Sequence, residues 1–124
     1  MSCPFCSIPA DRVLVESPTV AAFFDTFPIT DGHTLVVPRK HVSSIYELSA
    51  PEQSELWEVV AKVRALLIER FRVDSLNIGA NDGLAAGQTI AHAHVHVIPR
   101  RPGDVPDPRG GIRWIIADKA RYWS

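Results

Sequence analysis

The stretch His92-Ala93-His94-Val95-His96-Val97-Ile98-Pro99-Arg100 decides the fold, because imidazole and apolar side chains alternate along it. A period of two is typical of a β-strand that presents different side chains on its two faces. We expect the three histidines to project together into one cleft. The opposite face, which we expect to be buried against the core, comprises Ala91, Ala93, Val95 and Val97.

Three histidines on one strand face are poorly explained as ordinary strand residues, because each buried ring nitrogen needs a hydrogen-bond partner. Alternate residues lie about 6.6 Å apart along a strand, so two rings could converge on one metal ion. The outer pair, His92 and His96, is about 13 Å apart and could not. At least one ring must therefore serve something other than that metal, and imidazole suits nucleophilic or acid–base work near neutral pH.

The flanking sequence predicts an antiparallel sheet of about five strands. Runs rich in β-branched and aromatic residues occur at 12–16, 19–25, 34–37 and 76–80, and the histidines extend a fifth strand over 89–98. Turn residues separate the first three strands at Ser17-Pro18 and Asp31-Gly32. Residues 112–117 could form a short edge strand or a dimer contact.

One long helix should cover this sheet. Ser49 and Glu52 form a capping-box pattern and Pro51 falls in the first turn, so the helix should begin there and run to near Arg72. Its apolar residues recur at three- and four-residue steps, as on a helix packed on one side. The predicted fold class is therefore α+β, in a single domain that spans residues 1–124.

The composition excludes several classes of function. Hydrophobic residues make up 46% of the 124 residues, and 13 basic against 14 acidic residues leave a formal charge of -1. A protein with so little net charge is not expected to bind nucleic acid over a long footprint. No apolar run reaches the roughly 20 residues of a membrane span, and the N-terminus lacks a secretory pattern. We expect a cytoplasmic protein that binds neither nucleic acid nor membranes.

The histidine run resembles the signature of the histidine triad family, with Gly87-Gln88-Thr89 ahead of it. The segment Asp31-Gly32-His33-Thr34-Leu35-Val36-Val37-Pro38 resembles a second motif of that family, and only the residues after Arg100 lack a clear counterpart. The resemblance implies the family's fold and a hydrolase or transferase that acts on nucleotides. Family members usually form homodimers, so a homodimer is expected, with aromatic residues of the tail either at its interface or packed within the chain.

The resemblance also implies a role for each matched position. His94 would attack the α-phosphate of a nucleotide, and the nucleotidyl-histidine would pass to water or another acceptor. His96 and His33 would lie beside the phosphate and stabilise charge on its oxygens. Asp25 would bind the ribose, or is a plain turn residue at a strand end. The phosphate-side polar positions are Asn81, Gln88 and Thr89, and the candidates for an apolar base pocket, or for core, are Phe5, Phe24, Phe27 and Ile29.

The segment Cys3-Pro4-Phe5-Cys6 has the spacing of half a tetrahedral zinc site. The residues alone leave open a metal site, a redox pair or two plain thiols, although no βαβ pattern surrounds the cysteines. Zinc-bearing branches of the resembled family add histidines that match His41 and His92. The resemblance therefore implies a structural zinc on Cys3, Cys6, His41 and His92, with no open coordination position for catalysis.

Three functions of different classes fit this pattern. The first is a hydrolase of an adenosine dinucleoside polyphosphate or nucleoside phosphoramidate that releases a nucleoside monophosphate. Pro99-Arg100 after the histidines resembles the dinucleoside polyphosphate branch. The second is a nucleotide-binding regulatory or scaffold protein with incidental turnover, and the third is a transferase that passes the nucleotide to a sugar phosphate.

Overall fold

The computed structural model describes residues 3–124, and its centre is a five-stranded antiparallel sheet. The strand order is β1-β2-β3-β5-β4, so β1 and β4 form the two edges. The strands are β1 (Val13–Glu16), β2 (Val20–Phe24), β3 (Thr34–Pro38), β4 (Ser75–Gly79) and β5 (Val95–Arg100). The predicted α+β class and the number of strands are therefore confirmed.

The helix α1 (Ala50–Phe71) begins and ends where the sequence pattern predicts. The Ser49 hydroxyl accepts a hydrogen bond from the Glu52 amide, and the Glu52 carboxylate accepts one from the Ser49 amide. These bonds satisfy amide groups that the first helical turn leaves without partners. At the other end Arg72 adopts a left-handed conformation (φ 55°), which stops the helix. No helix among residues 3–124 combines the length and the apolar character that a membrane span requires.

The central strands β2 and β3 are buried on both faces of the sheet, whereas the edge strands β1 and β4 are partly exposed. On one face α1 packs its apolar stripe against alternate residues of the central strands. This larger core includes Leu56, Val59, Val63, Val36, Val95 and Val97. On the other face a smaller core forms around Phe5, Ala21, Phe23, Leu35 and Val37. The side chains of the candidate active site lie on this second face, opposite the face that α1 covers.

The fifth strand is shorter than predicted, because it begins at Val95 and not at Thr89. The Ala93 amide donates to the Val42 carbonyl (2.7 Å), and His92 Nε2 donates to the Pro38 carbonyl (2.7 Å). Because of these bonds, His92 and Ala93 do not take part in the hydrogen-bonded ladder between β3 and β5. Pro38 has no N–H to continue that ladder. As a result Ala91 is exposed, and His92 does not share a cleft with the other two histidines.

Of the two alternatives for residues Ile112 to Ala117, an edge strand or a dimer contact, the edge strand is wrong. Residues Gly111–Lys119 form 3-10 turns, interrupted at Ile116. Two consecutive glycines with positive φ, Gly110 (90°) and Gly111 (45°), turn the chain away from an extended path. The Trp114 indole then donates to the Arg109 carbonyl (2.8 Å), and Arg109 stacks 4.6 Å from the Trp123 ring centroid. The tail therefore packs in part on itself.

A matched pair of leucine substitutions tests the assignment of the core. Leu56 is fully buried between α1 and the sheet, whereas the Leu84 side chain is 90% exposed. We expect Leu56→Ala to lower the free energy of unfolding by about 2–5 kcal/mol, because it leaves a cavity. Leu84→Ala should change it by less than about 0.5 kcal/mol. Urea denaturation followed by circular dichroism measures both, and equal effects would contradict this packing.

Candidate active site

A cavity of about 320 Å³ opens on the face of the sheet that α1 does not cover. His94 and His96 lie on one side of it, where the chain enters β5. The register places His96 opposite Leu35, and Leu35 opposite Phe23, so one row of side chains crosses three strands. The remaining lining residues are Pro4, Phe5, Asp25, Thr26, Phe27, Asn81, Gly87, Thr89 and Ile90. The cavity therefore combines an apolar floor with a polar end that contains two imidazoles.

The hydrogen bonds of His94 fix its tautomer. Its Nδ1 lies 2.9 Å from the backbone carbonyl of His92, and a carbonyl oxygen only accepts, so Nδ1 carries the proton. In the neutral ring Nε2 therefore keeps its lone pair. His94 is only 9% exposed and lines the cavity, and the bond from Nδ1 fixes the orientation of its ring. The Nε2 atom of such a ring can act as a nucleophile at neutral pH without a separate base.

His96 has the opposite tautomer, which follows from two linked hydrogen bonds. The Ile29 amide donates to His33 Nδ1 (3.2 Å), so His33 carries its proton on Nε2. His33 Nε2 lies 2.9 Å from His96 Nδ1 and donates to it. His96 therefore carries its own proton on Nε2. The cavity is thus lined by one ring that carries a lone pair on Nε2 and a second ring that carries an N–H on Nε2, and neither atom has a hydrogen-bond partner within residues 3–124.

Asp25 lies at the end of β2 and contributes to the same hydrogen-bonded group. One carboxylate oxygen lies 3.5 Å from His33 Nε2, and the other accepts from the Phe27 amide (2.9 Å). His33 itself is buried and is not among the residues that line the cavity. It acts on the cavity through His96.

Burial lowers the pKa values of two of these imidazoles. Desolvation, with repulsion from His94 and His33, lowers the pKa of His96 to about 4. Desolvation also lowers the pKa of His33, although Asp25 opposes the shift. Both rings are therefore neutral at pH 7, which agrees with the tautomers that the hydrogen bonds assign.

This shift predicts how stability depends on pH. A histidine whose pKa is lower in the folded state binds protons more readily in the unfolded state. The free energy of unfolding should therefore fall as pH decreases from about 6.5 to about 4. We expect His96→Gln to reduce this dependence, because the substituted group does not titrate. Urea denaturation at pH values between 4 and 7 measures it, and the same slope in both proteins would contradict the assigned pKa.

The structure brings together most, not all, of the residues predicted to bind a nucleotide. Asp25, Asn81 and Thr89 line the cavity, but Gln88 does not. The Gln88 amide group donates to the carbonyls of Ser43 (2.9 Å) and Ile90 (3.0 Å), and its oxygen accepts from the Gly83 amide (2.9 Å). Its observed role is to hold the 83–90 loop in shape.

The apolar lining differs from the predicted set. Phe5 and Phe27 line the cavity, but Phe24 packs on the helix side against Phe71, and Ile29 is exposed outside the lining. Sequence reasoning missed Phe23, together with Leu35 and Ile90. The period of two shows that Phe23 and Phe24 face opposite sides of β2. The strand alone does not show which side carries the histidines.

Cys3, Cys6, His41 and His92 form a compact group of possible metal ligands. All four ligand atoms lie within 4.8 Å of one another. His92 Nδ1 is 3.3 Å from Cys3 Sγ and 3.1 Å from His41 Nδ1, and Cys6 Sγ is 3.1 Å from His41 Nδ1. Zinc bonds of about 2.0–2.3 Å to two nitrogens and two sulfurs in a tetrahedron place ligand atoms at similar separations.

The protonation of this group also fits a metal. His92 donates through Nε2 to Pro38, so its Nδ1 presents a lone pair to the cluster. Burial lowers the pKa of His92 and keeps the ring neutral, as a ligand must be. The Phe5 amide points at Cys3 Sγ (3.4 Å) and can donate to a thiolate there. The donor set could therefore hold a tetrahedral zinc ion.

A second group, Asp25, His33 and His96, also has ligand atoms within 4.8 Å of one another. Its hydrogen bonds argue against a metal there. Coordination through His33 Nε2 would move the proton of that ring to Nδ1, where it would face the Ile29 amide hydrogen. The group is better described as a hydrogen-bonded chain that ends in the His96 N–H.

Comparisons with known proteins show the family of this chain. The HIT domain profile matches residues 8–103. The Caenorhabditis elegans nitrilase and fragile histidine triad fusion protein NitFhit is 41% identical over 101 residues, which are 82% of this chain and 23% of that protein. The Schizosaccharomyces pombe bis(5'-nucleosyl)-tetraphosphatase [asymmetrical] is 39% identical over 93 residues, 75% of this chain and 51% of that protein. The chain therefore spans about a quarter and about half of these two relatives.

Solved structures give the same result for the fold. The crystal structure of C. elegans NitFhit has a TM-score of 0.76 and 38% identity, and the match covers 89% of this chain and 26% of that one. A Zn-bound histidine triad family protein from Mycobacterium smegmatis has a TM-score of 0.73 and 34% identity, and the match covers 96% of this chain and 94% of that one. With the profile match over most of its length, this chain belongs to the histidine triad (HIT) family.

Proposed function

We propose that this protein hydrolyses a nucleotide at its α-phosphate through a covalent nucleotidyl intermediate on His94. The observation that carries the proposal is the opposite tautomers of His94 and His96 in one cavity. The name of the S. pombe relative, a bis(5'-nucleosyl)-tetraphosphatase, supports a dinucleoside polyphosphate as the substrate, with an adenosine phosphoramidate as a further candidate.

The proposed reaction has two steps, and each of the two rings has one role in it. In the first, the lone pair of His94 Nε2 forms a bond to the α-phosphorus while the bond to the leaving group breaks and its electron pair stays on that group, where a hydrogen bond from His96 Nε2–H stabilises the charge. In the second, a water oxygen attacks the phosphorus and the P–N bond breaks. The electron pair of that bond returns to His94 Nε2, and the proton lost by water passes to solvent. The products are a nucleoside monophosphate and the free leaving group, and both histidines recover their starting state.

The other predicted nucleotide-binding residues take supporting positions in this proposal. Asn81 and Thr89 contact the phosphates from the loop side, and Asp25 accepts hydrogen bonds from the ribose. Gln88 acts indirectly, by holding the loop that carries Thr89. The apolar floor at Phe23 and Leu35 receives a purine, for which we propose adenine.

We also propose that the Cys3, Cys6, His41 and His92 group binds one zinc ion per chain in a structural role. The chemistry of the donors supports this, as does the Zn-bound M. smegmatis protein. Four protein ligands leave no open position for substrate. The ion would supply a fixed anchor for the N-terminal segment and for His92, whose carbonyl holds the tautomer of His94.

A homodimer is the assembly that we propose. Strand β4 is an edge of the sheet, and Ile78 on it is partly exposed, as are Ile112 and Ile115 of the tail. Sedimentation equilibrium should give twice the mass of one chain. A single chain mass at micromolar concentration would contradict it.

Hydrolysis of diadenosine tetraphosphate in ¹⁸O-labelled water tests the reaction. Attack at the α-phosphorus places the label in AMP and leaves ATP unlabelled, and mass spectrometry of the products distinguishes the two. The label in ATP would contradict the proposed site of attack. Binding of AMP without any turnover of this substrate or of an adenosine phosphoramidate would instead indicate a regulatory or scaffold protein.

A further inference from the structure

Phe5, one of the two residues between the cysteines, has contacts that the metal group does not explain. Phe5 is 7% exposed, and its ring lies 5.1 Å from the His94 ring and 5.5 Å from the Phe23 ring, measured between centroids. Phe5 and its neighbour Pro4 also line the cavity. The same short segment therefore supplies two candidate metal ligands and one wall of the candidate nucleotide site.

Few other bonds hold this segment in place. Strand β1 begins only at Val13, so residues 3–9 belong to no strand of the sheet. The Cys6 amide donates to the Cys3 carbonyl (3.3 Å), which closes a turn within the segment and does not attach it to the sheet. What attaches it to the domain is the burial of Phe5, the packing of Ile8 against the smaller core, and the contacts of Cys3 and Cys6 with His41 and His92.

We propose that Phe5 couples the metal group to the nucleotide cavity, an inference that rests on the proposed function. Metal binding on the flanking cysteines fixes the phenyl ring as a wall of the cavity and as a support for His94. The nucleotide then meets an ordered site and does not have to order the segment itself. Because binding free energies are linked, a nucleotide must raise the affinity for the metal by the same factor.

The experiment measures a cycle of four affinities. Isothermal titration calorimetry gives the Kd of AMP for zinc-loaded and metal-free protein, in wild type and in Phe5→Ala, with circular dichroism showing that each form keeps its helix. We expect zinc to lower the Kd of wild type about tenfold and to change that of Phe5→Ala less than about twofold. Competition with a chromogenic chelator should show AMP raising the zinc affinity of wild type about tenfold.

Control variants separate the ring from other effects. Phe5→Leu keeps apolar bulk if Phe5→Ala folds poorly, and we expect it to reduce the coupling in the same direction. Leu84→Ala, at an exposed position outside the cavity lining, should keep the full tenfold effect.

The result that would overturn the inference is a Kd of wild type that does not depend on zinc. A tenfold effect that persists in Phe5→Ala would also overturn it, because the metal would then act by direct contact with the phosphate or through the His92 carbonyl. Failure of the proposed function looks different, since zinc-loaded wild type would then bind no AMP, or would bind AMP without hydrolysing diadenosine tetraphosphate or an adenosine phosphoramidate.

Discussion

Replacing His94 with alanine is expected to lower the turnover number for diadenosine tetraphosphate by about 10⁴-fold or more. The substitution removes the only nitrogen that we propose as the nucleophile, and the buried ring leaves a gap that water fills without forming the intermediate. Steady-state assays with detection of AMP measure the effect.

His96→Ala provides the matched comparison, because His96 lies two residues after His94 and lines the same cavity. His96 is proposed to donate a hydrogen bond to the leaving group and not to form a bond to phosphorus, so its loss should cost about 10²- to 10³-fold, and less for a substrate whose leaving group develops less charge. A His94→Ala variant that retains the wild-type rate would remove His94 from the mechanism.

Replacing Cys3 with serine is expected to abolish zinc binding and to lower the thermal midpoint of unfolding by about 10 °C or more. The serine hydroxyl is a poor ligand for zinc, and the N-terminal segment loses its anchor to His92. Elemental analysis and differential scanning calorimetry measure the two quantities. Some turnover should remain, because the substitution leaves His94 and His96 in place.

Ser7→Ala is the control for that experiment. Ser7 is exposed and lies next to Cys6, outside the group of ligands. It should keep one zinc per chain and the wild-type midpoint. A Cys3→Ser protein with an unchanged zinc content would refute the proposed ligand set.

Local sequence signals predicted those parts of the fold that local interactions determine. The capping box at Ser49 and the left-handed residue Arg72 define the helix through bonds within a few residues. The hairpin at Ser17-Pro18 likewise depends on neighbours in the chain, since the Ser17 amide bonds to the Val20 carbonyl. Such features can be recognised from one sequence because their partners are close in it.

The features that sequence reasoning missed depend on distant partners. The histidine run alternates as a strand would. Residues 88–93 nevertheless lie outside the β3–β5 ladder, because His92 and Ala93 donate hydrogen bonds to the carbonyls of Pro38 and Val42, and His92 turns towards the cysteines. Nothing in the run itself indicates those two carbonyls. The tautomer of His96 depends on Ile29 through His33, a chain of contacts across the turn before β3. The family resemblance, which assigned different roles to His92 and His94, was the stronger guide here.

The most direct test of the central claim is to trap the intermediate. The zinc-loaded protein would be mixed rapidly with diadenosine tetraphosphate, quenched within milliseconds at alkaline pH, where a phosphohistidine-type bond survives, and weighed by intact-mass spectrometry. The account predicts a fraction of chains heavier by one adenylyl group, with the adduct on the peptide that contains His94 and none in His94→Ala. Rapid formation of AMP with no adduct at any time point, or an adduct on another residue, would contradict it.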